Sequence, residues 1–268
     1  MEEDGAFDAE ELGIGVLAED CPYPPVDELI LALSEEAPDR VPDLMALLQL
    51  ENELPKYLTE GLAEAPVSTP QVDISPAGRA IWKAVETSAL DAIRSWPNGK
   101  RLEILLVGAP PASIVERICN EPGLTRLTIT DAEDTVVEGA KQRIRPEPLL
   151  RIDPFEDVVP KAAYDVILFG DGLSRLGGDQ LGVASSTLAA GGLFLAVEPA
   201  PDLLSDLRNG VSADWWTETV TSEAPIGRRK AAEEWVDVLT EDRMEAVGVV
   251  TLNDPSVEAS LILSLIHI

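Results

Sequence analysis

Ala246-Val247-Gly248-Val249-Val250-Thr251-Leu252 is followed by Asp254-Pro255-Ser256 and then by Glu258-Ala259-Ser260-Leu261-Ile262-Leu263-Ser264-Leu265-Ile266. Both outer runs are rich in branched aliphatic side chains, and Asp-Pro-Ser carries turn chemistry. Parallel neighbours need a crossover of a dozen or more residues, and this connection is far too short for one. The two runs are therefore expected to pair as an antiparallel hairpin. Upstream, short apolar runs alternate with helical stretches. Ile104–Val107 precedes a helix at Ser113–Asn120, and Leu127–Thr130 precedes one at Glu133–Ile144. Leu149–Ile152, Val166–Phe169 and Leu193–Val197 follow, the last entered through the turn Ala190-Gly191-Gly192. Such alternation builds a doubly wound parallel sheet with right-handed crossovers. The chain reads as α/β, a mostly parallel seven-stranded sheet whose final strand runs against the others.

The sheet is preceded by helical sequence. Val26, Leu29, Ile30 and Leu33 share one helix face, then Leu44, Leu47 and Leu48, then Leu54 and Leu58. Pro66, Pro70 and Pro76 interrupt this pattern. Ser75-Pro76 opens a further helix, a hydroxyl cap followed by proline at the first helical position. Ile81, Val85, Ala89, Ile93 and Trp96 are its expected inward residues, and Pro97-Asn98-Gly99 stops it. The expected division is an acidic linker or tail over 1–20, a helical subdomain over 21–99 and the α/β core over 100–268.

Charge narrows the partners. Lys and Arg number 20 against 49 Asp and Glu in 268 residues, a formal net charge of −29. Such a chain repels a phosphate backbone, and no basic stripe offsets this, so no nucleic-acid partner is expected. The acidic surface serves solubility, or it docks on basic neighbours; composition leaves both open. No apolar run approaches membrane-spanning length, and Met1-Glu2-Glu3-Asp4 is acidic where a signal peptide is basic, so neither a membrane span nor export is expected and a cytoplasmic setting is read. Cys21 and Cys119 stand far apart without ligand-type neighbours, so no metal site or disulfide framework is expected.

In an open parallel sheet ligands sit at the carboxyl ends of the strands, where the strand order reverses. The first core strand leads there into Leu106-Val107-Gly108-Ala109-Pro110-Pro111-Ala112-Ser113. This stretch resembles the Glu-x-Gly-x-Gly-x-Gly loop of the C-methyltransferase domains of polyketide synthases and fatty-acid-synthase-like megasynthases. The resemblance implies a Rossmann-like class I methyltransferase fold, with the helices between Val26 and Leu62 as its lid. Gly108 matches the first glycine, Leu106 stands at the glutamate, and Pro110 and Ala112 stand at the other two glycines. Proline fixes φ and removes an N–H, and alanine adds a Cβ where the backbone would meet the cofactor.

The resemblance continues downstream. Asp131, ending Leu127-Thr128-Ile129-Thr130-Asp131, matches the acid that binds the ribose hydroxyls of S-adenosylmethionine; its other reading is an N-cap for the next helix. Asp153 matches the adenine-contacting acid, and Asp153-Pro154 also reads as a turn. Tyr164–Ser174 resembles the fourth strand with its Asn-x-Leu-His ending, and there Ser174 stands where the family's base, a histidine, is implied. A hydroxyl has no suitable pKa for proton abstraction. Glu198, in Leu195-Ala196-Val197-Glu198-Pro199, matches the base's partner and also reads as a strand-end acid. Asp214-Trp215-Trp216 is similar to the family's Gly-Trp-Trp, and Trp235 falls in the helix before the sixth strand, where it reads as a core aromatic. His267, the single histidine, lies at the end of the sequence.

Together Leu106, Pro110, Ala112 and Ser174 imply a pseudo-methyltransferase domain of a polyketide synthase-type transferase. No catalytic residue and no cofactor is expected, Gly108, Asp131 and Asp153 are vestiges, and the role is a scaffold among neighbouring domains of the same megasynthase. An active S-adenosylmethionine-dependent C-methyltransferase acting on a carrier-bound β-ketoacyl intermediate is the alternative. A module holding acyl carrier protein is a third reading, opposed by like charge on both partners.

Overall fold

A two-stranded antiparallel sheet comes first in the chain, β1 (Phe7–Ala9) against β2 (Gly15–Leu17). The stretch read as an unpatterned acidic tail therefore contains a short hairpin, its apolar positions too few to register as a period. The computed structural model describes residues 7–9, 15–17, 26–48, 75–97, 100–158, 164–176, 178–209, 215, 227, 229–241 and 244–265. The expectations at Cys21, Leu54, Leu58, Pro66, Pro70, Asp214, Trp216 and His267 lie outside the described residues.

Two helices follow, α1 (Val26–Glu36) and α2 (41–48), separated by a 3-10 turn at Pro38–Arg40. Leu29 and Leu33, expected to face inward, are exposed, as is Leu31 on the opposite side. Helical periodicity there marks a helix without a core beneath it among the described residues.

Helix α3 (Pro76–Ser95) begins as its sequence requires: the Ser75 side chain accepts the Gly78 N–H at 3.0 Å, and Pro76 fills the first turn. Ile81, Val85, Ala89 and Ile93 are buried as expected, and Trp96 packs partly buried against the same cluster. Trp82, which the periodicity did not single out, is buried as well and covers Gly170.

The core then alternates β3 (Leu102–Val107), α4 (Ala112–Cys119), β4 (Leu124–Thr130), α5 (Asp134–Arg143), β5 (Leu150–Ile152), α6 (Phe155–Val158) and β6 (Tyr164–Gly170). It continues through α7 (Gly178–Ser186), β7 (Leu188–Pro199), α8 (Leu203–Asn209), α9 (Ala232–Glu241), β8 (Glu245–Thr251) and β9 (Ala259–Leu265). The strand order is β5-β4-β3-β6-β7-β9-β8, with β9 antiparallel to both its neighbours. The C-terminal hairpin thus forms as its short connection demanded. This order, six strands of one sense and β9 opposed to them, is that of the Rossmann-like class I methyltransferase fold expected from the sequence.

Alternation along the strands fills two layers. Leu102, Ile104, Leu106, Val166, Leu168, Leu195 and Val197 face α3 and α4. Leu105, Val107, Ile167, Phe169, Phe194 and Ala196 face the layer holding α6, α7 and α9, where Trp235 is 4% exposed and reads as the core aromatic it was taken for. One detail differs from the sequence reading. Ala190-Gly191-Gly192 does not precede β7 but bulges inside it, since Tyr164 pairs with Leu188 and Val166 with Leu193. Gly191 has φ +72°, and a Cβ at Gly192 would lie 2.8 Å from the Ala189 carbonyl, so this excursion needs both glycines.

Candidate functional site

The chain crosses from β5 back past β3 to β6, so the order reverses between the carboxyl ends of β3 and β6. Around that point stand Gly108 after β3, Asp131 after β4, Asp153 after β5, the Asp171–Ser174 loop after β6 and Glu198 at the end of β7. The topology brings Gly108, Asp131, Asp153, Ser174 and Glu198 to one edge of the sheet.

At the β3 end, Gly108 adopts φ +122° and donates its N–H to the Thr130 carbonyl at 2.8 Å. Only glycine holds that backbone without strain, so the first position of the loop keeps its physical reason. The next positions do not. Pro110 is buried, and Pro111 is the N-cap of α4 with no side-chain cap. Two consecutive residues of the loop therefore present no N–H. Ala112 begins α4 one residue earlier than expected and is exposed. Leu106 is 0% exposed within the apolar layer under α3 and α4. A side chain sealed there offers nothing to an ammonium group.

Asp131 is 2% exposed, and its Oδ1 accepts the Glu133 N–H at 3.1 Å. Glu133, not Asp131, is the N-cap of α5, so Asp131 shapes the turn that delivers the chain to the helix. Asp153 donates its N–H to the Ile129 carbonyl at 3.1 Å, and its carboxylate is paired with Arg151. Ser174 is 3% exposed, on a 3-10 turn at Leu173–Arg175.

Glu198 differs most from its reading as a strand-end acid. It is 3% exposed, and its Oε1 accepts two backbone N–H groups, from Gly172 at 2.8 Å and Leu173 at 2.7 Å. Its Oε2 is buried with no hydrogen-bond partner. Burial, and then the neighbouring Asp171 charge, push the carboxyl up to about 7, against the opposing pull of Leu173 N–H, Arg229 and Gly172 N–H.

The residues that sequence reasoning missed lie beside it. Arg229, in the segment before α9, has a side chain only 7% exposed. It donates to both oxygens of Asp171, at 2.9 and 3.0 Å, to Asp202 at 2.9 Å and to the Ser205 hydroxyl. Asp171 itself has φ +52°, an uncommon conformation for a residue with a side chain, and it sits at the point where the loop leaves β6. The segment bearing Arg229 is tightly seated, because a Cβ at Gly227 would strike Asp206 and the Trp215 indole, themselves joined by a 2.8 Å hydrogen bond. The signal available in the sequence was Arg228-Arg229-Lys230, a basic run in a chain whose acids exceed its bases by 29.

Cys119 is no alternative nucleophile, since burial and then Glu147 push its thiol up to about 11. Among the described residues no group of His, Cys, Asp and Glu is placed to hold a metal ion, and no helix is long and apolar enough to cross a membrane.

No family model and no curated protein matches the sequence. Solved structures do match. CurJ carbon methyltransferase aligns at TM-score 0.76 and 18% identity over 100% of this chain and 77% of its own. The citrinin polyketide synthase CMeT domain aligns at 0.75 and 16%, over 99% and 76%. The trans-methyltransferase CalH, solved in complex with SAH, aligns at 0.69 and 15%, over 89% and 72%. At such identities these matches show the fold. At the end of β3 in this chain, Leu106 supplies no carboxylate, and Pro110 and Pro111 supply no backbone N–H.

Proposed function

We propose that this chain is a non-catalytic pseudo-methyltransferase domain of a polyketide synthase-type multidomain enzyme, serving as a scaffold for neighbouring domains and not binding S-adenosylmethionine. The observation that carries the reading is the β3-to-α4 connection. Its one surviving glycine, Gly108, shapes the backbone, while Leu106 is sealed in the core and Pro110-Pro111 withdraws two donors. Ser174 where the resemblance implies a histidine supports the same reading, because a hydroxyl has no suitable pKa for proton abstraction.

One set of observations favours the alternative, an active C-methyltransferase on a carrier-bound β-ketoacyl substrate. Asp131 and Asp153 end adjacent strands where a nucleoside would lie, and Glu198 is held near neutrality. Calorimetric titration of the chain with S-adenosylmethionine separates the two. No heat beyond dilution at 1 mM ligand is the expected result. Micromolar binding, or a methylated product from a β-ketoacyl carrier protein, would sink the scaffold reading.

A further inference from the structure

Glu198 lies beside a polar cluster that joins three segments entering the carboxyl edge of the sheet from different directions. It receives the Gly172 and Leu173 N–H groups from the loop after β6. Asp171, from the same loop, is bound by Arg229, which arrives from before α9 and also holds Asp202 and Ser205 at the start of α8. Among the described residues, the cluster thus counts one cation against two carboxylates already paired with it. A third ionised carboxylate, Glu198, would be buried with Oε2 lacking any donor. Gly172 in turn lies over the end of β3, where a Cβ would come within 3.3 Å of the Val107 carbonyl. The loop that Glu198 grips is therefore the one resting on the switch point.

We infer that the Glu198 carboxyl is a proton-held latch on the Asp171–Ser174 loop, closed most firmly while the group is neutral and opening more readily once it is ionised. The chemistry is a single proton exchanged with solvent, and it holds whether or not the cleft takes a cofactor. The direction follows from linkage. In the closed loop the carboxyl binds its proton up to a pH of about 7, whereas an opened, solvated carboxyl loses it near its ordinary value of 4.5. Closure is favoured by the full amount below about pH 4.5, weakens across that window, and changes no further above 7.

Hydrogen exchange of the whole chain, read by NMR and corrected for the intrinsic pH dependence, tests this. Protection of the Gly172 and Leu173 amides is expected to fall about tenfold per pH unit between pH 5 and 7 and then level off, while the amides of Ile167 and Leu168 in β6 do not follow. The Glu198→Gln variant keeps an acceptor for both N–H groups and is expected to show flat protection. Should it fail to fold, the wild-type amide shifts of Gly172 and Leu173 serve instead, with a titration midpoint near 7 as the supporting result. Protection that is flat in the wild type, a fall shared by Ile167 and Leu168, or a midpoint below 5 each overturns the latch.

Discussion

Arg229 grips both carboxylate oxygens of Asp171, at 2.9 and 3.0 Å, across 58 residues of sequence. Nη2 alone donates to both oxygens while Nη1 turns to Asp202 and Ser205, so one planar guanidinium holds two carboxylates in fixed directions. Since Arg229 is buried, the pair ties the loop after β6 to the segment before α9 in a place where water screens little.

Arg229→Met should therefore cost about 2–3 kcal/mol, because it leaves the partly buried Asp171 without its cation, while Asp202, 45% exposed, is screened by water. Arg229→Lys keeps the charge but has one nitrogen in place of the two that reach Asp171 and Asp202, and its cost should fall between zero and that of Arg229→Met. Urea unfolding measures both. In a double-mutant cycle, Asp171→Asn should recover part of the loss from Arg229→Met, and strict additivity of the two would show that they do not act as a pair.

The layers of this fold were legible in the sequence while its polar cluster was not, and the reason lies in what each kind of signal encodes. Ile104, Leu106, Val166 and Leu168 announce themselves because strands buried on both faces are continuous apolar runs. The β8–β9 hairpin was readable because one short connection admits one pairing sense. Asp171 and Arg229 obey no period: each is a single polar residue in a loop, and their partnership exists only after the sheet has brought those loops together. Trp82 escaped for a related reason, since its importance lies in Gly170 opposite, which no helical spacing reveals.

That contact is itself testable. A Cβ on Gly170 would stand 2.5 Å from Cζ3 and 2.8 Å from Cη2 of Trp82 and 3.0 Å from the Val85 side chain. The indole is rigid and buried, so it has little room to retreat. Gly170→Ala is expected to destabilise by about 1–3 kcal/mol through overpacking. Placing it in a Trp82→Leu background should make the alanine nearly neutral, read as a smaller shift in the denaturation midpoint than in the parent.

Ser75 offers a smaller effect with a defined cause. Its hydroxyl accepts the Gly78 N–H at the start of α3, in a buried position where water does not replace it. Ser75→Ala should cost about 1 kcal/mol, whereas Ser75→Thr should cost less because it keeps the hydroxyl acceptor. For a chain of this size the alanine corresponds to a melting point lower by about 2–4 °C. An unchanged melting temperature for Ser75→Ala would mean that α3 is fixed by packing alone.

Leu106 decides whether the glutamate of an active loop fits this core. Leu106 pairs in register with Ile129 on β4 and Leu168 on β6, and all three belong to the apolar layer under α3 and α4. Leu106→Glu places a carboxyl where none of those neighbours donates a hydrogen bond, and the ionised form is the costly one. The introduced carboxyl should titrate above its ordinary range in the folded chain. Its neutral form is then tolerated below the unfolded value, and stability is lost as pH rises through the folded value. A loss of about 3 kcal/mol or more at pH 8, reduced at pH 5, is expected from urea titrations at both values. Leu106→Met, of similar volume and apolar, should cost under about 1.5 kcal/mol at either pH. If Leu106→Glu were instead as stable as the parent at pH 8, the core would have room for the missing carboxylate, and the argument that this position has been given over to packing would fail.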